Sequence, residues 1–291
     1  MGVQQLKVVL GGASGLIGRA LAESLRADGH EVVGVSRNPR TDEVSWDTVG
    51  SAIEGADAVV NLAGTSLGSL RWTDGRKESI VSSRVETTRR LVQELEVSEH
   101  RPGVLVTASG IGFAGDAGED LVDESHPYGT DFLAGVCEAW EGVAAKAPVR
   151  HVAVRTAFVV ARGAPSLRLM SLPFRLFAGG PVGGGHQWFP WIHLDDLVRI
   201  YRRAIDDESL AGPVHAAGPE AVRQRDAARE IAAVLHRPAL VPTPAFALRL
   251  LLGEQADLLL HGQHAVSRKL EGFEFRYSAL RPALEDALRG V

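Results

Sequence analysis

One cysteine, four lysines and three tyrosines are all that 291 residues hold of those types. Cys137 stands alone, which excludes an intrachain disulfide framework and a multi-cysteine zinc site, and no metal is expected. The formal net charge is −5 and there is no basic run, so binding to nucleic acid through phosphate neutralisation is not expected either. No apolar run approaches the ~20 residues that span a bilayer, and the opening MGVQQLKVVLGG lacks the charged lead and apolar core of a signal peptide. The expectation is a cytoplasmic protein with no membrane partner. Lysine is confined to Lys7, Lys77, Lys146 and Lys269, so 27 of the 31 cations are arginine.

What is present is ordinary globular stock, 45% hydrophobic and 23% charged. Strand-like and helix-like runs alternate in the first half. Leu6–Leu10, Glu31–Val35, Ala56–Leu62, Val104–Thr107 and His151–Val160 read as buried strands. Leu16–Ala27, about Ser83–Val97 and Phe132–Ala145 read as the helices between them. That alternation predicts an α/β fold, a Rossmann-type doubly wound parallel sheet with helices on both faces. The second half predicts a smaller mixed α/β lobe. It has a glycine-rich loop at Ala178–Gly185, the aromatic run Trp188–Trp191, a helix from near Asp195 and helices on either side of Pro238–Pro244. The division falls at residues 1–160 and 161–291, partly interlaced.

Gly12, Gly15 and Gly18 lie between the first strand and the first helix. The spacing suits a tight turn, a backbone that approaches a pyrophosphate and a helix packed close on its strand. The amides near Leu16 and Ile17 would face the negative charge. At the end of the second strand an acidic residue would bind the adenosine ribose of NAD, but Ser36 and Arg37 stand there. A hydroxyl and a guanidinium fit a 2′-phosphate, so the expected cofactor is NADP(H). Leu62, Ala63 and Gly64 end the third strand, where open α/β sheets bind ligands.

These runs resemble the extended short-chain dehydrogenase/reductase superfamily of nucleotide-sugar epimerases and reductases. Within it the chain is most similar to an atypical subfamily called epimerase family proteins. GGASGLIG (11–18), VSRNP (35–39) and VVNLAG (59–64) carry the first part of the resemblance. RWTDGRKESIVSSRVETT (71–88), TASGIGFAGD (107–116) and DFLAGVCEAWE (131–141) carry the middle. GGGHQWFPWIHLDDLV (183–198), GPVHAAGPEAVR (212–223) and PAFALRLLLGE (244–254) extend it almost to the end. The resemblance implies an NADP(H) site on Gly12, Gly15, Leu16, Ile17, Ser36, Arg37, Leu62 and Ala63, with further roles for Glu78 and Arg84. Arg84, expected at the start of the long helix, could reach a ribose or phosphate, and Glu78 could accept from ribose hydroxyls. For both the alternative is a surface ion pair.

The superfamily's chemistry uses a tyrosine and a lysine four residues later on one helix face. This chain cannot build that pair. Four residues beyond Tyr128, Tyr201 and Tyr277 lie Phe132, Ile205 and Arg281. Ser109 matches the serine that steadies the reacting oxygen and is the one catalytic candidate; the alternative is a serine capping its turn. Cys137 reads as core filling, Glu138 and Glu141 as a solvated face, and Asp195 as a helix cap. On the substrate side stand Gln187 and the tryptophans Trp72, Trp188 and Trp191, whose rings could stack on a small molecule or pack beneath the loop. The expected function is an atypical NADP(H)-dependent oxidoreductase or epimerase. A catalytically silent NADP(H)-binding sensor or scaffold is the alternative.

Overall fold

The computed structural model describes residues 5–68 and 71–289. Its centre is a seven-stranded sheet of β1 (Lys7–Gly11), β2 (Glu31–Ser36), β3 (Glu43–Ser45), β4 (Ala58–Asn61), β5 (Val104–Gly110), β7 (Arg150–Thr156) and β10 (Gly212–Ala216). The strands run in the order β10-β7-β5-β4-β1-β2-β3 and every pairing is parallel. Val8, Val9 and Leu10 are fully buried, as are Val59 and Val60. A strand covered on both faces has no solvent side to mark with polar residues, so these runs are continuously apolar. The strand order reverses between β1 and β4, which puts a crevice above their carboxyl ends.

Helices α1 (Leu16–Ala27), α2 (Val49–Ile53), α3 (Asp74–Val97), α4 (Phe132–Ala144) and α6 (Leu194–Asp206) cover the sheet. The short β6 (Leu121–Val122) pairs with β11 (His264–Ala265), and β8 (Phe158–Val160) pairs with β9 (Trp191–His193). A second core gathers Phe174 of α5 (Pro165–Arg175), Ile231 of α7 (Gln224–Leu235) and Leu284 of α10 (Leu280–Leu288) around Trp191. Between them lie α8 (Ala245–Leu252) and α9 (Asp257–Leu260).

Several boundaries differ from the sequence expectations. The run His151–Val160 is two strands, because Ala157 is the last residue tied to β10 and Phe158 donates to Pro190 O instead. The long helix starts at Asp74, not near Ser83: Thr73 Oγ1 caps it by accepting from Arg76 N, and its first turns are polar and partly exposed. Arg84 therefore sits inside that helix rather than at its start. At α6 the cap is His193, whose Nδ1 accepts from Asp195 N, and not Asp195. Strand β10 returns to the main sheet and α6 packs on α1.

Candidate functional site

The turn after β1 is built around absent side chains. Gly12 has φ +79°, and a Cβ there would lie 2.8 Å from the carbonyl of Leu62. A Cβ on Gly18 would come within 2.2 Å of Gly12 O. The turn can thus press against the end of β4 while α1 packs on β1. Gly15, the N-cap of α1, offers no side-chain cap, and the first turn carries no acidic residue. Its leading amides, with Leu16 and Ile17 among them, are the donors an anion would use.

Around this turn, Asn61 is buried and holds the strand end. Its Oδ1 accepts from Ala63 N (3.1 Å), and its Nδ2 donates to Thr88 Oγ1 (2.9 Å), which also takes Trp140 Nε1 (2.8 Å). Arg84 lies over Gly64, donating from Nη2 to Thr65 O (3.1 Å) and from Nη1 to Ile80 O (3.0 Å). Burial lowers its pKa from the usual arginine value. Arg84 thus braces the loop after β4. Ser36 Oγ accepts from Asn38 N (3.2 Å). Arg37 is exposed and forms no salt bridge among the described residues, and Glu78 is likewise exposed. Uncapped amides and an uncompensated arginine at the rim fit a phosphorylated dinucleotide.

Where the acid–base pair of a reductase is expected, the structure puts apolar groups. A Cβ on Gly112 would touch Leu133 Cδ1, and one on Gly110 would touch Cys137 Sγ, each at 3.8 Å. Leu133 and Cys137 are therefore the i, i+4 pair of α4 facing the end of β5. Burial pushes the Cys137 thiol up, with the Glu141 charge adding to it, so it stays protonated. Phe132 and Trp72 meet edge to face at 5.3 Å beside this pair.

Beneath it lies a buried carboxylate. Glu141 Oε1 accepts from Ser109 Oγ (2.5 Å) and Arg155 Nε (2.9 Å); Oε2 accepts from Tyr128 OH (2.7 Å) and Arg155 Nη2 (2.8 Å). Burial alone would raise the Glu141 pKa, but the Arg155 bonds and charge, with the two hydroxyls, hold it below the usual carboxylate value. Arg155 also stacks on Phe113 at 3.5 Å. Glu141 is 6% exposed, so its reading as part of a solvated face is corrected. Ser109 is 7% exposed with its proton committed to this carboxylate. Sequence reasoning missed Arg155, although a lone cation inside the apolar run HVAVRTAFVV was a signal for a buried anion.

The substrate-side candidates are dispersed. Trp72 is half-buried, donating from Nε1 to Leu67 O (3.2 Å). Gln187 clasps the glycine loop, donating to Val182 O (3.2 Å) and Leu259 O (2.8 Å). Trp188 is sandwiched between the Arg223 guanidinium (3.5 Å) and the His264 ring (4.0 Å). Trp191 is 1% exposed in the second core, where it donates to Glu220 O (3.1 Å), so packing is its role. Among the described residues no group of His, Cys, Asp and Glu is placed to hold a metal.

A glycine turn at the switch point of a seven-stranded parallel sheet, with neither Tyr nor Lys on α4, defines an atypical short-chain dehydrogenase/reductase. The chain belongs to the NAD dependent epimerase/dehydratase family, whose model matches residues 8–216. A domain of unknown function, DUF1731, matches residues 243–287. The Arabidopsis thaliana protein "Epimerase family protein SDR39U1 homolog, chloroplastic" is 39% identical over 99% of this chain and 87% of its own length. The crystal structure of human epimerase family protein SDR39U1 with NADPH superposes with a TM-score of 0.92 at 33% identity, covering 98% of this chain and 99% of that one. A nucleoside-diphosphate sugar epimerase from Corynebacterium glutamicum gives 0.81 at 32% identity, covering 98% of this chain and 58% of that one.

Proposed function

We propose that the chain binds NADP(H) across the β1–β4 crevice and exchanges hydride with a small molecule, as an oxidoreductase or epimerase without the usual tyrosine–lysine pair. The observation that carries this is the glycine turn leading into uncapped α1 with Arg37 unpaired at the rim. The human relative crystallised with NADPH supports it. The amides of Leu16, Ile17 and Gly18 would hold the pyrophosphate, while the Gly15 amide closes the turn on Gly12 O (3.0 Å), and Ser36 and Arg37 would take the 2′-phosphate. Asn61 fixes the Ala63 amide at the strand end, Arg84 braces the loop around Gly64, and Glu78 faces the ribose hydroxyls. When bound, the cofactor supplies a hydride donor or acceptor. Leu133, Phe132 and Trp72 make an apolar wall that excludes water beside it. Ser109 and Tyr128 keep their protons, because each donates its hydroxyl to the Glu141 carboxylate.

The Leu133/Cys137 pair favours a second reading, a silent NADP(H)-binding sensor. Fluorescence titration with NADPH and NADH, followed by incubation of 4-deuterated NADPH with ketones and aldehydes and of NADP+ with sugar nucleotides, separates the two. The expected result is preferential NADPH binding and either loss of label to a carbonyl substrate or epimerisation or oxidation of a sugar nucleotide in the presence of NADP+. Binding with neither outcome favours the sensor. Failure to bind either dinucleotide sinks both.

A further inference from the structure

Residues 162–194 and 231–253 contain no Asp or Glu, in a chain whose net charge is −5. The same two stretches hold nine of the twelve large apolar residues that stand exposed among the described residues. They are stitched side by side. Val241 N donates to Gly179 O (3.0 Å), Thr243 N to Pro181 O (2.9 Å) and Gly183 N to Thr243 O (2.8 Å).

Each helix flanking this seam leaves apolar groups in water. Leu169 and Leu172 of α5 and its C-cap Leu176 recur at i, i+3 and i+7, one helical stripe, and all are exposed. Helix α8 reads AFALRLLL and buries no residue; Phe246 and Leu250 are 74% and 75% exposed. Leu240, in the loop between, is 81% exposed. Cations rim this face. Arg168 and Arg237 are exposed and form no salt bridge among the described residues, and Arg237 lies over the Phe177 ring at 4.6 Å. Arg249 on α8 reaches Asp257 at 3.6 Å, with both side chains partly exposed.

We propose that this face docks on the surface of an anionic lipid bilayer, with the leucines and Phe246 in the interface and the arginines against the headgroups. Short helices with Leu and Phe on one side, Arg at the edge and no acids are the elements that lie in a membrane plane. A second copy fits less well, since a two-fold contact would set each arginine rim against itself. The absence of a long apolar run, which argues against a spanning segment, does not bear on surface binding. Among the described residues no helix is long and apolar enough to cross a membrane. The face is fastened to the cleft: Arg71 donates to the carbonyls of Leu250 and Leu251, and Gln255 Nε2 to Leu67 O.

The test is flotation of the full chain with phosphatidylcholine vesicles, with and without phosphatidylglycerol, at low and high salt. Co-flotation is expected only with the anionic vesicles, weakened by salt. It should fall about tenfold or more in the Phe246→Ser/Leu250→Ser variant and several-fold in Arg168→Gln/Arg237→Gln. NADPH affinity, unchanged in both variants, reports that they fold. No flotation at either salt, or equal flotation by the serine variant, overturns the proposal. So does a dimer in sedimentation that the serine variant dissociates without any vesicle binding, which assigns the face to a second copy.

Discussion

Tyr128 donates its phenolic O–H to Oε2 of Glu141 at 2.7 Å, the same oxygen that accepts from Arg155 Nη2 at 2.8 Å. Burial, then that carboxylate, pushes the Tyr128 pKa up to about 12. A tyrosine that shuttles protons needs the opposite shift, which a neighbouring lysine supplies. Tyr128→Phe is therefore expected to cost about 1.5–3 kcal/mol in urea unfolding, the worth of one bond to a charged group. NADPH affinity and any turnover should stay within about twofold. A hundredfold loss of turnover in a folded variant would return Tyr128 to the chemistry.

Glu141 and Arg155 should show strong coupling. Glu141→Ala alone strands a buried guanidinium and is expected to cost about 3–5 kcal/mol. The double variant Glu141→Leu/Arg155→Met should cost less than that single change. Denaturant midpoints of the full cycle measure this, and additive losses would contradict it. The folded Glu141 pKa is below its unfolded value of 4.5, so the pair's contribution is present above about pH 4.5 and lost as pH falls through the folded value.

His215 governs a different window. It is fully buried, its Nε2 has no hydrogen-bond partner, and burial lowers its pKa to about 4 from 6.5, against the pull of Glu124. Between those values the unfolded chain binds the proton and the folded one does not. Stability is thus expected to be full above pH 6.5 and to fall by on the order of 2 kcal/mol toward pH 4. His151, also lowered to about 4 by burial, adds a slope of the same sign. His215→Asn should flatten part of the profile of unfolding free energy against pH. A profile unchanged by that substitution would show that the loss lies elsewhere.

Two substitutions divide cofactor recognition into its parts. Arg37→Ala should weaken NADPH about tenfold or more and NADH hardly at all, because only NADPH carries the second phosphate. Gly18→Ala forces a methyl to within 2.2 Å of Gly12 O and should weaken both dinucleotides. Titration of each variant with both cofactors measures this, and equal losses in Arg37→Ala would remove that residue from phosphate recognition.

The sheet and its glycine turn were legible because buried parallel strands and close backbone approach leave few alternatives in residue choice. The start of α3 was not, since its first turns face water and show no apolar period to mark them. Glu141 was unreadable for a related reason. On α4 it stands three residues after Glu138, which is exposed, and only the partners from β5, β7 and the loop at Tyr128 distinguish the two. The break at Ala157 depends on β9, some thirty residues further along the chain, which local pattern cannot see. The empty place of the dyad was legible from tyrosine and lysine positions alone, whereas the pair occupying it required the packing of α4 on β5.

Strand β10 closes the sheet with residues 212–216, after the chain has already built β8, α5, β9 and α6. During synthesis the cofactor half therefore waits, its edge at β7 unpaired, until well over two-thirds of the polypeptide has emerged. Proteolysis near residue 160 would leave a fragment holding every glycine of the turn yet lacking both that edge strand and the α6 cover over α1. A nucleotide-binding piece cut at residue 160 would thus lack part of its own core.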